Sequence, residues 1–446
     1  MKLIDALRVD NSSKISLVGS GGKTSALVRL GLEWQPKALV AVTAHIGIDQ
    51  IGDFENHIIW SQDNSIIPNF NKTTIVTGEN GEENMLRGVD PSQWVFLQQI
   101  ARENDVPLFM ESDGSKTRPL KAPASHEPAI PQWVNHVVVS IGLSVAGKPL
   151  NQDYVHRPEI FSSLTGLELN KPVNLQAIVK MLINPQGGLK NIPHNARKSV
   201  LLNQADKLAE KSNLPHIEKQ LLEYFDAIIT ASLQNADKPL DENKCQKEVI
   251  KATEQIASII LAAGNSHRMG QPKALLNWKG IPFVRACALQ AITAGLKPIH
   301  IIAGQEFEII REIVKDLPVQ VIQNLDWNDG QSSSVRLGIK SLPKKIGGAI
   351  FQLVDQPQIP VTLMRKLIDE HSMTLAPIIL PESGGRRANP VLFDRKSFDA
   401  LSQLQGDIGG KMVFSQFPIR SIPWYDESIL MDVDTPEDYR RLQEIQ

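Results

Sequence analysis

Residues 258–273, Ser-Ile-Ile-Leu-Ala-Ala-Gly-Asn-Ser-His-Arg-Met-Gly-Gln-Pro-Lys, constrain the fold more than any other stretch. An apolar run, Ile259 to Ala262, empties into Ala263-Gly264 and a polar loop with Arg268, a kink at Gly270 and then Pro272-Lys273. A strand anchoring such a loop suits a polyanion. Glycines let backbone N–H groups face the ligand, and Arg and Lys neutralise its charge. The plainer alternative is an ordinary strand–turn–helix connection whose cations face solvent.

A second stretch repeats the design. Lys14 to Val18 reads as a strand, followed by Gly19-Ser-Gly-Gly-Lys-Thr24 and a helical run from Ser25 to Glu33. Leu17 stands where the full Walker A spacing wants glycine, leaving the shorter GxxGK[ST] form. Gly19, Gly21 and Gly22 would bring amides to phosphates, Lys23 a point charge and the Thr24 hydroxyl a contact to Mg²⁺. A glycine turn before a helix is the alternative.

Two such centres fit the length. A chain of 446 residues exceeds one compact core, and the reading is two α/β domains. The first, P-loop-like, spans 1–235, a polar linker 236–255, and a Rossmann-like domain with a mostly parallel sheet 256–446. A net charge of −2 implies no basic face, so nucleic acid and acidic membrane are not expected partners. Cys245 and Cys287 are too few and too far apart for a disulfide framework or a zinc site. The N-terminus does not read as a signal peptide and no run suits a membrane span, so a cytoplasmic location is expected.

In the first half, strand Ala38–Val42 ends in Thr43-Ala44-His45, groups able to sit beside phosphates. Strand Pro107–Met110 ends in Glu111-Ser-Asp113, where a metal or its water wants a hard oxygen ligand. Asp113 is the first choice and Glu111 the second, with two acids at a solvated turn as the alternative. Lys116, Arg118 and Lys121 precede His126-Glu127 and offer a grip on a second anion, or simply a solvated loop. Strand Ser199–Leu202 ends in Asn203-Gln-Ala-Asp206, similar to the NKxD base-recognition sequence of GTPases with Gln for Lys. A helix N-cap at Asp206 explains it equally.

In the second half, Asn324 to Ser334 brings Gly330 and three hydroxyls, among them Ser332 and Ser333, to a helix start suited to a base, ribose or pterin. N-capping explains one of them. The most apolar strand, Gly348–Val354, ends in Asp355-Gln-Pro357, where an ionised carboxylate calls for a metal partner. Asp407 in Gly-Asp-Ile-Gly-Gly410, and Asp432 and Asp434 before Thr435-Pro436, are further carboxylates.

The first half resembles the YqeC family, accessory proteins of selenium-dependent molybdenum hydroxylases. The resemblance rests on VGSGGKT at 18–24, ESDGSKTRPLKAPASHEPAIP at 111–131 and LLNQAD at 201–206. It implies a P-loop-type domain serving molybdenum-enzyme maturation, and the glycine loop read above makes ATP or GTP the candidate ligand. Gly19, Gly21, Gly22, Lys23, Thr24, Asn203 and Asp206 are its candidate nucleotide contacts and Asp113 its candidate metal ligand. The second half closely resembles the molybdenum-cofactor cytidylyltransferase branch of the MobA-like nucleotidyltransferases. The shared pieces are LAAGNSHRMGQPK, NLDWNDGQSSS, VDQPQIP, ANPVLF, GDIGG and DVDTPEDY. By that resemblance Gly264 and Gly270 hold the triphosphate and Arg268, Lys273 and Asp355 are catalytic; Leu261, Ala262, Ala263, Ser332 and Ser333 are the further candidate nucleotide contacts. Asp355 and Asp434 hold Mg²⁺, with Asp407 the alternative to Asp434. LAAG rather than LAGG favours CTP over GTP. Ala388-Asn389-Pro390 departs from the family's usual glycine.

The implied reaction moves CMP from CTP to molybdopterin or the molybdenum cofactor, releasing pyrophosphate, in transient contact with a molybdenum hydroxylase or its maturation chaperone. The competing readings are a non-catalytic, nucleotide-dependent cofactor-insertion chaperone and a sugar-phosphate nucleotidyltransferase.

Overall fold

The computed structural model describes the chain outside residues 36, 44–45, 49–50, 53, 55, 61–71, 80, 82–84, 115–117, 209–212, 234–247, 265–267 and 445–446. The readings placed on Ala44-His45, Lys116, Cys245 and most of the linker therefore lie outside the described residues. The chain divides into two compact units, Met1–Thr253 and Glu254–Gln446. Among the described residues no helix is long and apolar enough to cross a membrane.

The first unit is built on a nine-stranded sheet. Its elements are β1 (Lys14–Gly19), α1 (Lys23–Glu33), β2 (Leu39–Val42), β3 (Asn56–Ile59), β4 (Thr74–Thr77), α2 (Trp94–Glu103) and β5 (Leu108–Glu111). There follow β6 (His136–Gly142), α3 (Pro158–Thr165), α4 (Leu175–Ile183), β7 (Arg197–Asn203), α5 (Leu214–Leu221), β8 (Ala227–Ala231) and β9 (Val249–Glu254). The spatial order is β9-β8-β7-β6-β1-β5-β2-β4-β3. From β8 to β3 every neighbouring pair is parallel. Parallel strands covered on both faces read as near-continuous apolar runs, and Val137, Val138, Val139 and Ile141 of β6 are all buried. Residues 249–253, assigned to a linker from their polar surroundings, instead belong to this unit as its edge strand.

The second unit holds β10 (Ile256–Ala262), α6 (Phe283–Ala294), β11 (Ile299–Ala303), α7 (Phe307–Ile313), β12 (Gln320–Gln323), α8 (Gln331–Lys340), β13 (Gly348–Leu353) and α9 (Val361–Thr374). It continues with β14 (Ile378–Ser383), β15 (Arg386–Arg387), β16 (Val391–Asp394), β17 (Ile419–Pro423) and α10 (Pro436–Gln443). The order is β12-β11-β10-β13-β16-β14-β15, with β17 on β14. β12, β11, β10 and β13 are parallel, whereas β16 inserts antiparallel to β13 and to β14, so the sheet is mixed.

The chain winds outward from β10 to β12 and then returns to β10's other side as β13. That reversal leaves a crevice at the carboxyl ends of β10 and β13, where open α/β sheets bind ligands. Cys287 on α6 is buried, and burial pushes its thiol up to about 12.

Candidate functional site

The crevice of the second unit is a cavity of about 620 Å³. Leu261, Ala262, Ala263 and Gly264 line it from the end of β10, and Leu353, Val354 and Asp355 from the end of β13. Lys273 follows Pro272 in a short 3-10 turn that turns it into the same space. Its ammonium lies 2.9 Å from Asp355 Oδ2 and 2.5 Å from Asp434 Oδ1. Arg268 reaches Asp434 Oδ2 at 2.8 Å from a largely exposed position. Arg268 and Gly270 are not among the lining residues; the former acts on the site through Asp434.

Charge balance follows. Burial works against the Lys273 ammonium, but Asp355 and Asp434 outweigh it and raise its pKa. The hydrogen bond from Lys273 lowers the pKa of Asp434. Burial, with Asp355 and Asp434 nearby, raises that of Asp432, whose Oδ1 accepts from Gln356 Nε2 at 2.7 Å. Among the described residues, Asp355 Oδ1 is buried without a hydrogen-bond partner.

The opposite wall comes from the segment before α8. Trp327, Asn328, Asp329, Gly330, Gln331 and Ser334 line it, with Glu306 and Asp407 nearby. Sequence reasoning singled out Ser332 and Ser333, but both turn inward. Ser332 Oγ accepts from Arg336, while Ser333 Oγ accepts from Asn324 Nδ2 and donates to the Gly330 carbonyl. The helical 100° step leaves Ser334, rather than its neighbours, on the cavity wall. Asp407 Oδ1 accepts from the Gln331 amide at 3.1 Å, so it caps α8 and Asp434 is the carboxylate that shares Lys273 with Asp355. Trp327 and Glu306 went unnoticed because a lone aromatic or acid in a loop carries no spacing signal.

In the first unit, Lys23 Nζ donates to the Gly19 carbonyl at 2.6 Å and lies 3.3 Å from Asp113 and 3.6 Å from Glu111. Thr24 Oγ1 donates to Glu111 Oε2 at 2.9 Å. Burial raises the Glu111 pKa although Lys23 opposes it. On the other side of β1, Asn203 Nδ2 donates to the Gly21 carbonyl at 3.0 Å. Gly22 has φ 127°, and a Cβ there would meet Asn203 Nδ2 at 2.0 Å, so glycine is required for the approach.

Residues 15–159 match the family described as YqeC protein, and residues 258–420 that described as MobA-like NTP transferase domain. The uncharacterized protein YqeC of Escherichia coli (strain K12) is 30% identical over 199 residues, 43% of this chain and 75% of that one. The chain belongs to the YqeC family. The match runs through the first unit, whereas in the second unit residues 258–420 are similar to the MobA-like NTP transferase domain. The purine catabolism protein PucB of Bacillus subtilis (strain 168) is 27% identical over 199 residues, 41% of this chain and 94% of that one. The molybdenum cofactor cytidylyltransferase of Escherichia coli (strain K12) is 23% identical over 184 residues, 41% and 93% respectively.

In the YqeC unit the expected metal carboxylate, Asp113, is already committed. It accepts from the Gly19 amide at 3.1 Å and from Lys121 at 2.7 Å, besides its contact with Lys23. Glu111, the second choice from sequence, is the carboxylate that meets Thr24. Lys121, read as a loop cation for a second anion, is instead a strand residue whose side chain is 1% exposed. It bridges Asp113 to Glu127, and Arg157 holds Glu127 from the far side at 2.6 Å. Glu127 thereby falls to about 2, its hydrogen bonds to Arg157 and Lys121 overcoming the opposing effect of burial. Asp206 is exposed at the end of the β7 segment, its amide bonded to Ser232 Oγ at 3.0 Å.

The second unit also buries Glu254, His371 and Asp394 together, with ligand atoms within 4.8 Å of one another, a group able to hold a divalent cation. Asp394 pairs with Gly348 at the start of β13, so the cluster sits at the opposite end of the sheet from Asp355. His371 Nε2 and Asp394 Oδ2 are 2.7 Å apart and hydrogen-bonded.

Proposed function

We propose that the MobA-like unit transfers CMP from CTP to the terminal phosphate of molybdopterin or the molybdenum cofactor. The observation that carries this is Lys273 held between Asp355 and Asp434 at the mouth of the cavity lined by Leu261–Gly264. The cavity takes a nucleoside triphosphate, and the alanine at position 263, together with the similarity to a cytidylyltransferase, supports CTP.

A phosphate oxygen of the acceptor attacks the α-phosphorus; the bond to the bridging oxygen breaks, and its electron pair leaves with pyrophosphate. The attacking oxygen is already anionic near neutrality, so no strong base is required. The protein aligns two polyanions and neutralises charge at the transferring group. On this reading Lys273 leaves its carboxylates for phosphate oxygens, Arg268 covers the triphosphate from the rim, and the loop after Ala262 presents its amides. The orphaned Asp355 Oδ1, with Asp434 nearby, fits a hard divalent cation. Mg²⁺ held by these two carboxylates would supply electrostatic stabilisation of the triphosphate.

The YqeC unit, on the same reading, binds ATP or GTP at Gly19–Thr24 with Thr24 and Glu111 toward its metal. It acts with the transferase in maturing a molybdenum hydroxylase, through transient contact with that enzyme or its chaperone. The test incubates the full chain with each NTP, Mg²⁺ and either molybdopterin or a sugar 1-phosphate, and reads pyrophosphate release and product mass. Release with CTP and molybdopterin is expected. Binding without release would favour a chaperone, and release with a sugar 1-phosphate alone would make it a sugar nucleotidyltransferase.

A further inference from the structure

The large cavity of the second unit carries different chemistry at its two ends. Lys273 and Asp355 line it on the β10–β13 side. The strand register fixes the other side: Ala262 of β10 lies beside Ala303 of β11, and Ala303 beside Gln323 of β12. Residues after β11 and β12 therefore stand progressively farther from Asp355, and two of them, Glu306 and Trp327, line the same cavity. Neighbouring strands are about 4.8 Å apart, so the ends of β13 and β11 are separated by about 10 Å. That suits a nucleotide lying with its phosphates at one end and its base at the other. Gly304 shows how closely the far walls meet. A Cβ there would sit 3.1 Å from Trp327 Cγ and 3.3 Å from Ala263 Cβ, so the indole and the Ala263 methyl both pack on bare backbone.

Glu306 is half-buried, and among the described residues its carboxylate has neither a hydrogen bond nor an ion pair. The start of α7 does not depend on that side chain, because it is the Glu306 carbonyl that accepts from the Ile310 amide, at 2.9 Å. The other acids of the wall are placed differently. Asp355 meets Lys273, Asp407 takes the Gln331 amide, and Asp329 is exposed to solvent. A carboxylate without a partner inside a cavity for a polyanion repels phosphate and calls for a donor. A nucleotide meets both demands when its phosphates lie at Lys273 and its base at Glu306.

Trp327 offers the base a flat apolar face, and stacking serves every base because each has a π-face. Discrimination then falls to the polar edge that meets Glu306, an ionised carboxylate that only accepts. Cytosine presents its 4-amino group there. Uracil puts a carbonyl oxygen in the same place, which a carboxylate repels. We propose that Glu306 reads the base, accepting from the 4-amino group of cytosine and so excluding UTP. This rests on the reading of the cavity as a CTP site and adds the residue that tells the two pyrimidines apart.

The test is calorimetric titration of the full chain with CTP, UTP and GTP, each with Mg²⁺ and without acceptor, for the native protein, Glu306→Gln and Lys273→Met. Binding that Lys273→Met abolishes belongs to this cavity rather than to the glycine loop of the first unit. In the native protein Lys273-dependent binding of CTP is expected to be about 10- to 100-fold tighter than that of UTP, the worth of a hydrogen bond to a charged acceptor. Glu306→Gln should erase most of that margin by gaining affinity for UTP, whose 4-oxo group accepts from the new amide. Misfolding does not produce a gain for one nucleotide. Equal gains for CTP and UTP would mean that Glu306 merely repels phosphate, and would overturn the proposal, as would a margin unchanged in Glu306→Gln. Lys273-dependent binding of GTP tighter than that of CTP, and weakened in Glu306→Gln, would give the residue to guanine and overturn it too. No Lys273-dependent binding of any of the three, in a Lys273→Met protein that melts like the native one, would remove the CTP site itself.

Discussion

Lys273 and Asp355, 82 residues apart in sequence, meet at 2.9 Å across the carboxyl ends of β10 and β13. One residue follows the glycine loop and the other the most apolar strand, and only the parallel pairing of those strands brings them together. The contact holds a cation and a carboxylate in the positions that a triphosphate and its metal would contest.

Replacing Asp355 by Asn keeps the shape and removes the charge. CMP transfer should fall by about 100- to 1000-fold, the scale seen when one preorganised electrostatic group is lost. Pyrophosphate release under saturating CTP measures it, with circular dichroism confirming an unchanged fold. A variant with native turnover would sink the assignment of this cavity as the transferase site.

Gly330 has φ 91°, and a Cβ there would sit 2.4 Å from Asp407 Cα. Gly330→Ala therefore carries both backbone strain, about 1–3 kcal/mol, and a clash with a backbone that cannot swing aside. Its melting temperature should drop and its KM for CTP rise more than its kcat falls, because the cavity wall before α8 is displaced. Asp407→Ala, which removes the cap but not the space, should be milder in both respects.

In the YqeC unit, Asp113 neutralises two lysines inside the protein, with side-chain exposures of 2% for Lys23 and 1% for Lys121. Asp113→Ala leaves both cations buried with one counter-charge fewer, and should cost about 3–5 kcal/mol of stability in denaturant titration. Adding Lys121→Met should recover part of that loss. Simple additivity of the two changes would contradict the coupling drawn here.

Glu127 sits at the end of the same chain of charges and has its pKa lowered to about 2. A carboxylate lowered in the folded state stabilises the protein above its unfolded value, near 4.5, and loses that contribution as pH falls toward 2. The native protein should therefore lose stability across that interval with a slope that Glu127→Gln lessens. Melting curves between pH 6 and pH 3 at fixed ionic strength, about 0.1 M to screen surface pairs, measure the difference. Identical slopes would mean that Arg157 and Lys121 do not hold this carboxylate ionised.

Local sequence carried the fold class and most of the strands, because apolar runs ending in glycine or polar tips need no distant partner to be read. It also carried both loops, since Gly19–Thr24 and Ala263–Lys273 hold their chemistry within a few residues. Pairing across the chain was a different matter. Asp113 and Glu111 are equivalent carboxylates at one strand tip in sequence, and only the position of Lys121 decides that Asp113 is spoken for while Glu111 meets Thr24. Asp407 and Asp434 were likewise interchangeable until the Gln331 amide claimed one and Lys273 the other. Ser332, Ser333 and Ser334 are identical in chemistry, and a turn of helix alone sets which faces the cavity. The sequence by itself determined which cationic and acidic groups stand at the glycine loops and strand ends of this protein. Tertiary structure decided which of them pair with one another, because a buried charge is satisfied by whichever opposite charge the fold brings nearest, whatever the distance along the chain.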